Sequence, residues 1–382
     1  MTSSAPLTKS TAPSGARKKT LNMLTIKRDS LLWAVKTAKE LIGKSTITSP
    51  IQLRAGEQDL TVEGTNLDQC IRIKMPAEVK RALTGAAPLD ILAALSSATG
   101  DEVTIFEKGN RLNVTWGKAG RSSCAWTDQG LIDMPSSKGK PAQLELSPSL
   151  LKQVLGCAVA AGSDETRIHL MGVNLGRELL AGTDGHRCHV MQSRLPMAPE
   201  QWPAPTVPVA FFTQLDKLSG GRIPRFSLAA DGNHVSCEFE HSNGFVKIWT
   251  RCTDSTYPDI LGVLPKSYVW RVWVNSKAML DLITRAKNTG AEGLRLAGDP
   301  SIGLRVKIDK DIEFEDGIEA EFEEGKAIVP TGVAPKYLLD ALKVCELEDK
   351  ICISGTEPTA PMTVGLAEGR DSMVAVVMPM RL

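Results

Sequence analysis

One pattern of apolar residues recurs three times along the chain: a strand residue, a helix start, and then apolar positions at i, i+4 and i+7. This spacing is typical of one buried face of an α-helix. In the first copy these residues are Ile26, Leu31, Val35 and Ala38. In the second they are Leu146, Leu151, Leu155 and Ala158, and in the third Val274, Met279, Ile283 and Ala286. Successive copies begin roughly 120 residues apart, so the pattern predicts three similar units.

A second helix-like segment follows each first helix after about 60 residues, which extends the repeat within each unit. The three segments are PLDILAALSS with Leu92 and Leu95, FFTQLDKLSGG with Leu215 and Leu218, and PKYLLDALKV with Leu339 and Leu342. Alternating runs rich in β-branched residues lie between the helices, among them DLTVEG, EVTIFEKGNRLNVTW, HVSCEFEHSNGFVKIWTR, GLRVKIDKDIEF and KICISG. These runs predict antiparallel strands joined by turns.

The sequence therefore predicts an α+β fold in which each unit packs two helices on antiparallel sheets. We expect a leader at 1–22 and units at 23–141, 142–265 and 266–382. The leader is rich in Ser, Thr, Ala, Pro and Lys, which is typical of a disordered segment and not of a signal peptide. No run reaches the roughly 18 apolar residues of a membrane helix, so we expect a soluble cytoplasmic protein.

Charge and cysteine content exclude several classes of protein. The 45 basic and 44 acidic residues give a net charge of +1, which excludes a generally basic nucleic-acid-binding surface and leaves only local contacts. The eight cysteines form no C-x-x-C pair, so neither a zinc module nor a disulfide framework is indicated.

Two motifs suggest chemistry that their context does not support. GKST at 43–46 resembles the end of a phosphate-binding loop, but its predicted helix precedes the motif instead of following it. The segment TDGHRCH offers Asp184, His186, Cys188 and His189, but alternate strand residues face opposite sides and cannot converge on a metal. A catalytic Asp–His pair would lack a nucleophile here. A tight Asp-Gly turn is the simpler interpretation.

The C-terminal SMVAVVMPMRL is apolar where chain ends are usually polar. Either it is a last core strand with an inert end, or its methionines line an adaptable binding groove. Basic side chains also flank the apolar faces of the predicted helices. They are solvated surface residues or a lining for a phosphate backbone: Arg28, Lys36, Lys39, Lys152, Lys217, Lys277, Arg285, Lys287, Lys336 and Lys343.

Three repeated α+β units, the TDGHR turn, the segment YPDILGVLPK and the terminal VVMPMRL together resemble the bacterial sliding clamp family, the β subunit of DNA polymerase III. The resemblance covers about Met23 to Leu382. It implies a head-to-tail homodimeric ring around double-stranded DNA, a processivity factor with no enzymatic activity or cofactor. DNA would be held topologically and without sequence specificity, and Lys44 would join the DNA-facing residues. The ring interface would lie near Cys124 and Trp126, in an exposed edge strand.

The resemblance also implies a cleft that binds linear peptides of DNA polymerase and the clamp loader, with Arg187, Arg381 and backbone groups orienting the peptide. The matching positions are Leu170, Thr183, Gly185, His186, Arg187, Cys188, Pro258, Val263, Tyr337, Pro361, Met362, Val376, Val377, Met378, Pro379, Met380 and Arg381. Cys188 and Gly262 replace a leucine and a basic residue usual in the family, which predicts a smaller and less charged cleft. An alternative function is a clamp-like interaction module that binds the same partners without encircling DNA.

Overall fold

The computed structural model describes residues 23–42, 50–88, 90–91, 95, 98–129, 131–135, 141–176, 178–192, 204–229, 232–309, 313–345, 349–366 and 373–381. The predicted leader, the GKST motif and most of the segment PLDILAALSS lie outside these residues.

Five α-helices are present in the described part of the chain: α1 Arg28–Ile42, α2 Pro148–Ala158, α3 Val209–Ser219, α4 Ser276–Asn288 and α5 Pro335–Val344. Local sequence explains several of their ends. The Ser147 hydroxyl accepts the N–H of Leu150 at the start of α2, and Asn275 Oδ1 accepts the N–H of Ala278 at the start of α4. Gly220 ends α3 in the left-handed conformation.

Twenty-six short strands surround these helices in the described residues. In the first third of the chain they are β1 Met23–Lys27, β2 Pro50–Ala55, β3 Asp59–Thr65, β4 Gln69–Pro76, β5 Glu78–Arg81, β6 Thr84–Pro88, β7 Glu102–Lys108, β8 Arg111–Trp116 and β9 Gly120–Ala125. The middle third contains β10 Ala142–Glu145, β11 Gly172–Leu175, β12 Leu179–Thr183, β13 Arg187–Gln192, β14 Thr206–Pro208, β15 Arg225–Leu228, β16 His234–His241 and β17 Gly244–Arg251. The last third contains β18 Trp270–Asn275, β19 Leu294–Asp299, β20 Gly303–Asp309, β21 Glu313–Ile318, β22 Glu321–Phe322, β23 Ile328–Val333, β24 Lys350–Gly355, β25 Met362–Leu366 and β26 Met373–Val377.

The fold is α+β, as predicted, and its chain divides into two compact units. The first comprises Met1–Lys36, Pro50–Val62 and Lys74–Leu131, and the second Thr37–Ser49, Glu63–Ile73 and Ile132–Leu382. A five-stranded antiparallel sheet in the order β5-β1-β7-β8-β9 forms the first unit, where β2 also pairs with β6. Alternate residues of its strands are fully buried, including Leu24, Val103, Ile105, Leu112 and Val114.

The second unit contains a nine-stranded sheet in the order β14-β11-β12-β13-β26-β25-β24-β18-β22 and a four-stranded sheet in the order β21-β20-β19-β23. Strands β10, β15, β16 and β17 pair in succession in the same unit. Helix α2 packs against α3, and α4 packs against α5. The antiparallel pairing of β13 with β26 places Arg187 opposite Val377 and Cys188 opposite Val376, which brings two motifs distant in sequence together.

The three copies of the apolar pattern have the predicted strand–helix structure: β1 leads into α1, β10 into α2 and β18 into α4. All their recurring apolar residues are buried except Leu155 and Ala158, which are partly exposed. The division into units at 23–141, 142–265 and 266–382 stays a prediction. No helix in the described residues is both long and apolar enough to cross a membrane.

Candidate functional site

The TDGHR segment forms a tight turn between β12 and β13, held by its own side chains. Thr183 Oγ1 donates to the carbonyl of Arg187 at 2.6 Å and accepts the N–H of Gly185 at 3.0 Å. Asp184 Oδ1 accepts the N–H groups of His186 and Arg187 at 2.9 and 3.0 Å. Gly185 has φ +89°, a conformation that favours glycine. His186 is therefore presented to solvent on a rigid loop.

Arg187 supports this turn from beneath, since its side chain is only 6% exposed. Its guanidinium donates to Asp184 Oδ2 at 3.0 Å, to the carbonyl of Val159 at 2.8 Å and to the carboxylate of Asp340 on α5. The guanidinium carbon also lies 4.9 Å from the ring centroid of Tyr337. These partners enclose Arg187 and join the turn to α5, and its contact with a peptide stays a prediction.

The tail that follows β26 is anchored along the same wall. Met378 donates its backbone N–H to the carbonyl of His186 at 3.0 Å, and Met380 donates to the carbonyl of Gly332 at 2.8 Å. The rings of His186 and Tyr337 are stacked, with centroids 6.5 Å apart and planes 11° apart. The turn, the tail and α5 therefore form one continuous surface.

The other face of β13 and β26 forms a small apolar cluster with the segment that follows β17. Cys188 and Val376 are buried there with Ala181, Val190 and Ile260. Burial raises the pKa of the Cys188 thiol to about 12, so at neutral pH this side chain is a small neutral apolar group.

Exposure divides the predicted cleft residues into a buried base and an accessible rim. The buried residues are Leu170, Thr183, Arg187, Cys188, Met362, Val376 and Val377, and the partly exposed ones are Tyr337, Pro361, Pro379 and Met380. The exposed ones are Gly185, His186, Pro258, Val263, Met378 and Arg381. Met378 is 36% and Val263 is 41% exposed, so both apolar side chains are accessible to a partner. Leu382 lies outside the described residues.

The Cys188 and His189 side chains of TDGHRCH lie on opposite faces of β13. Cys188 faces the apolar cluster with Ile260, whereas His189 Nδ1 is 2.9 Å from the carbonyl of Gly156 on the opposite face. Burial lowers the pKa of His189, so its ring is neutral at physiological pH. Within the described ranges, no group of three or more His, Cys, Asp or Glu side chains is arranged to hold a metal ion.

The basic residues predicted to face DNA are on helix surfaces. Lys36, Lys39, Lys152, Lys217, Lys277, Arg285, Lys287, Lys336 and Lys343 are exposed, and Arg28 is partly exposed. Arg28 contacts Asp29, and Arg285 donates to Asp316 at 2.7 Å, so part of their charge is balanced locally. Lys44 lies outside the described residues.

The residues predicted at a ring interface differ in their surroundings. Cys124 is half-buried in β9, the last strand of the five-stranded sheet. Trp126 is only 7% exposed, and a Cβ atom at Gly85 would lie 2.4 Å from its ring. The expectation of an exposed Trp126 in an edge strand is therefore wrong, because the indole covers Gly85 within its own unit.

Asp340 and Ile260 were missed by the sequence interpretation although both contact predicted site residues. A helical spacing signal was available for Asp340, since residues three apart on a helix share a face and Tyr337 was already a candidate. Ile260 lies within YPDILGVLPK, but nothing in that segment's pattern distinguishes its buried residue from its exposed neighbours Leu261 and Val263.

Comparison with known proteins finds several that are similar to this chain. No family model matches the chain. It is 27% identical to the β sliding clamp of Bacillus subtilis (strain 168) over 252 residues, which cover 62% of this chain and 64% of that protein. It is 22% identical to the β sliding clamp of Staphylococcus aureus (strain Mu50 / ATCC 700699) over 382 residues, covering 94% of this chain and 98% of the relative.

Solved structures agree with this relationship. The DNA polymerase sliding clamp of B. subtilis superposes with a TM-score of 0.84 at 22% identity, covering 95% of this chain and 100% of that one. The DNA polymerase III subunit β of Pseudomonas aeruginosa gives a TM-score of 0.82 at 20% identity, covering 94% and 100%. The fold is therefore that of a DNA clamp. Along nearly its whole length the chain is similar to bacterial β sliding clamps.

Proposed function

We propose that this protein is a DNA sliding clamp, a processivity factor that encircles duplex DNA as a head-to-tail homodimer and tethers a replicative polymerase. The observation that carries the proposal is the wall formed by His186, Tyr337 and Met378 on a fold shared with β sliding clamps. We also propose that the chain consists of three repeated units and that it has no enzymatic activity and no cofactor of its own. Its expected location is the cytoplasm, in association with the nucleoid.

The exposed rim and the half-buried residues around this wall would bind linear peptides of DNA polymerase and the clamp loader. Apolar anchors of a peptide would pack against Met378, Val263 and Pro258, which are all exposed, while backbone groups and Arg381 would orient it. The sliding clamp of Bartonella birtlesii, which has a TM-score of 0.80 and 19% identity to this chain, has been solved bound to griselimycin.

Ring closure would use two strand edges. In the described chain, β9 ends the five-stranded sheet and β21 ends the four-stranded sheet, so each pairs with a strand of its sheet along one edge only. Exposed Arg121 on β9 and exposed Glu313 and Glu315 on β21 have opposite charges. Pairing β9 of one chain with β21 of another joins two different surfaces and is therefore heterologous. Two such contacts must close into a ring, because heterologous contacts that do not close extend into filaments.

Contact with DNA would be local and nonspecific. Exposed lysines on α2, α3, α4 and α5 would contact phosphates. A few such contacts would be enough, because a closed ring retains DNA topologically. Opening the ring would depend on a clamp loader driven by ATP.

Topological binding can be tested directly. The protein is loaded by a clamp loader onto nicked circular plasmid, the complex is isolated by gel filtration, and half of it is linearised. We expect retention on circles and loss from linear DNA. Retention on both forms would show ordinary DNA binding and contradict the ring.

The alternative function is an interaction module that uses the same cleft without encircling DNA. The substitutions at Cys188 and Gly262 favour altered partner preference over loss of the ring, so this remains the second candidate. A monomer that binds polymerase peptides, measured by light scattering and fluorescence anisotropy, would support the alternative.

A further inference from the structure

An unbroken series of contacts joins Asp340, which is half-buried on α5, to the exposed wall of the cleft. The Asp340 carboxylate accepts from Arg187, and Arg187 Nε donates to Asp184 Oδ2 at 3.0 Å. Asp184 in turn accepts the backbone N–H of His186, whose carbonyl accepts the N–H of Met378. Asp340 and Tyr337 lie three residues apart on α5, and Arg187 contacts both.

The chain contains a second copy of the turn that has no such ion pair. At Thr65–Gln69, Thr65 Oγ1 donates to the carbonyl of Gln69 at 2.9 Å and accepts the N–H of Leu67 at 2.9 Å. Asn66 Oδ1 accepts the N–H groups of Asp68 and Gln69 at 3.2 and 2.7 Å. These four bonds repeat, position for position, the four bonds of the 183–187 turn. Leu67 has φ +79° where Gly185 has +89°.

The neighbouring strand end is repeated as well. Arg251, which ends β17, donates its N–H to the carbonyl of Asp68 at 3.0 Å, just as Met378 donates to His186 at 3.0 Å. Gln69 stands where Arg187 stands, and on α3 the exposed Asp216 follows Leu215 as Asp340 follows Leu339. The turn and its strand contact therefore form without an arginine and without a helix carboxylate.

Because folding of the turn does not require the ion pair, its presence at the cleft has another explanation. We propose that Asp340 is a positioning residue for peptide binding. Its carboxylate holds the Arg187 guanidinium between α5 and the turn. It thereby fixes the position of the His186 ring relative to the Tyr337 ring on which it stacks. A forked guanidinium that joins two carboxylates defines both distance and direction. This inference rests on the proposed peptide cleft.

The test measures binding of a fluorescein-labelled C-terminal peptide of a bacterial replicative DNA polymerase to the full chain by fluorescence anisotropy. Asp340→Asn keeps the shape of the side chain and removes its charge. We expect a threefold to roughly thirtyfold increase in Kd, the range seen when coupling networks are altered. Asp216→Asn, at the corresponding position of α3, is the matched control and should leave Kd unchanged.

A double-mutant cycle separates positioning from loss of stability. If Asp340 acts through the turn, Asp340→Asn combined with His186→Ala raises Kd by less than the product of the two single effects. Thermal unfolding of each variant shows whether it is folded. If Asp340→Asn does not fold, Arg187→Lys tests the same link, because an ammonium cannot reach both carboxylates and the Val159 carbonyl together, and it should raise Kd similarly.

The outcomes distinguish this inference from the proposed function. Peptide binding that Met378→Ala weakens but folded Asp340→Asn does not would overturn the positioning role alone. Multiplicative effects of Asp340→Asn and His186→Ala would overturn it as well. Absence of peptide binding by the unaltered protein would remove the cleft itself, and the role of Asp340 with it.

Discussion

The backbone N–H of Met378 lies 3.0 Å from the carbonyl oxygen of His186, although 191 intervening residues separate them in the sequence. This bond continues the β13–β26 ladder beyond its last paired residues, Arg187 and Val377. It holds the backbone of Met378 next to His186, whose ring stacks on that of Tyr337. The segment after β26 is thereby part of a defined surface.

Met378→Ala should weaken peptide binding about tenfold or more while leaving the oligomeric state unchanged. Met378 is an exposed apolar residue whose backbone is bonded to His186, and a few apolar anchors supply most of the binding energy of an interface. Fluorescence anisotropy with a polymerase peptide measures the effect. Ile223→Ala, which removes a side chain that is 56% exposed elsewhere, is the control. Equal affinities for the two variants would show that Met378 is not an anchor.

That TDGHR and the terminal methionines would meet at one wall was implied only by the resemblance to sliding clamps. The sequence pattern itself predicted the recurring strand–helix order, because apolar periodicity and turn residues are local signals. It could not predict that Arg187 is enclosed, since Asp340 contacts it across 153 positions. The error at Trp126 has the same origin. An aromatic residue one position beyond an edge strand is expected to be exposed to solvent. Trp126 instead packs against Gly85, which lies 41 positions earlier in the sequence.

Gly182→Ala should destabilise the fold by about 3 kcal/mol, near the upper end for overpacked sites. An added Cβ would lie 2.0 Å from the backbone carbonyl oxygen of Cys157, so β12 and α2 could no longer pack at their present distance. Urea unfolding gives the free energy. Gly221→Ala is the comparison, because Gly221 has φ +82° and no atom within 4 Å. It should cost only about 1 kcal/mol for its backbone conformation, and similar values for both would refute close packing at Gly182.

Stability should fall below neutral pH partly because of His189. Burial lowers the pKa of this ring in the folded state, and Arg187, Asp340 and Asp184 act on it more weakly. The unfolded chain therefore takes up a proton first as the pH falls below 6.5, the ordinary pKa of histidine. The stabilisation is present above that pH and is lost as the pH falls through the lower, folded-state pKa.

Urea unfolding between pH 7 and 5 measures this contribution. The free energy of unfolding of the native protein should fall more steeply than that of His189→Leu, by at most about 1.4 kcal/mol per pH unit for one proton. Only the slopes are compared, because the substitution also removes the contact with the Gly156 carbonyl. Equal pH slopes of the unfolding free energy for the two proteins would mean that His189 has the same pKa in the folded and unfolded states.

Arg121→Glu should weaken dimerisation if β9 of one chain pairs with β21 of another. The substitution would place a carboxylate near Glu313 and Glu315, and like charges across an interface oppose association. Sedimentation equilibrium should show a dimer dissociation constant raised about tenfold, a cost of ~1.4 kcal/mol. Lys80→Glu makes the same charge change on β5, at the opposite edge of the same sheet, and should have no effect.

A compensating change gives the sharper result. Adding Glu313→Lys and Glu315→Lys to Arg121→Glu restores opposite charges at each proposed contact, so the dimer should recover. Glu315→Lys also removes an exposed ion pair with Lys307, which contributes little to stability. Recovery requires that the two edges meet, because charges on separate surfaces cannot compensate each other. A dimer weakened equally by Arg121→Glu and Lys80→Glu would place the ring interface elsewhere.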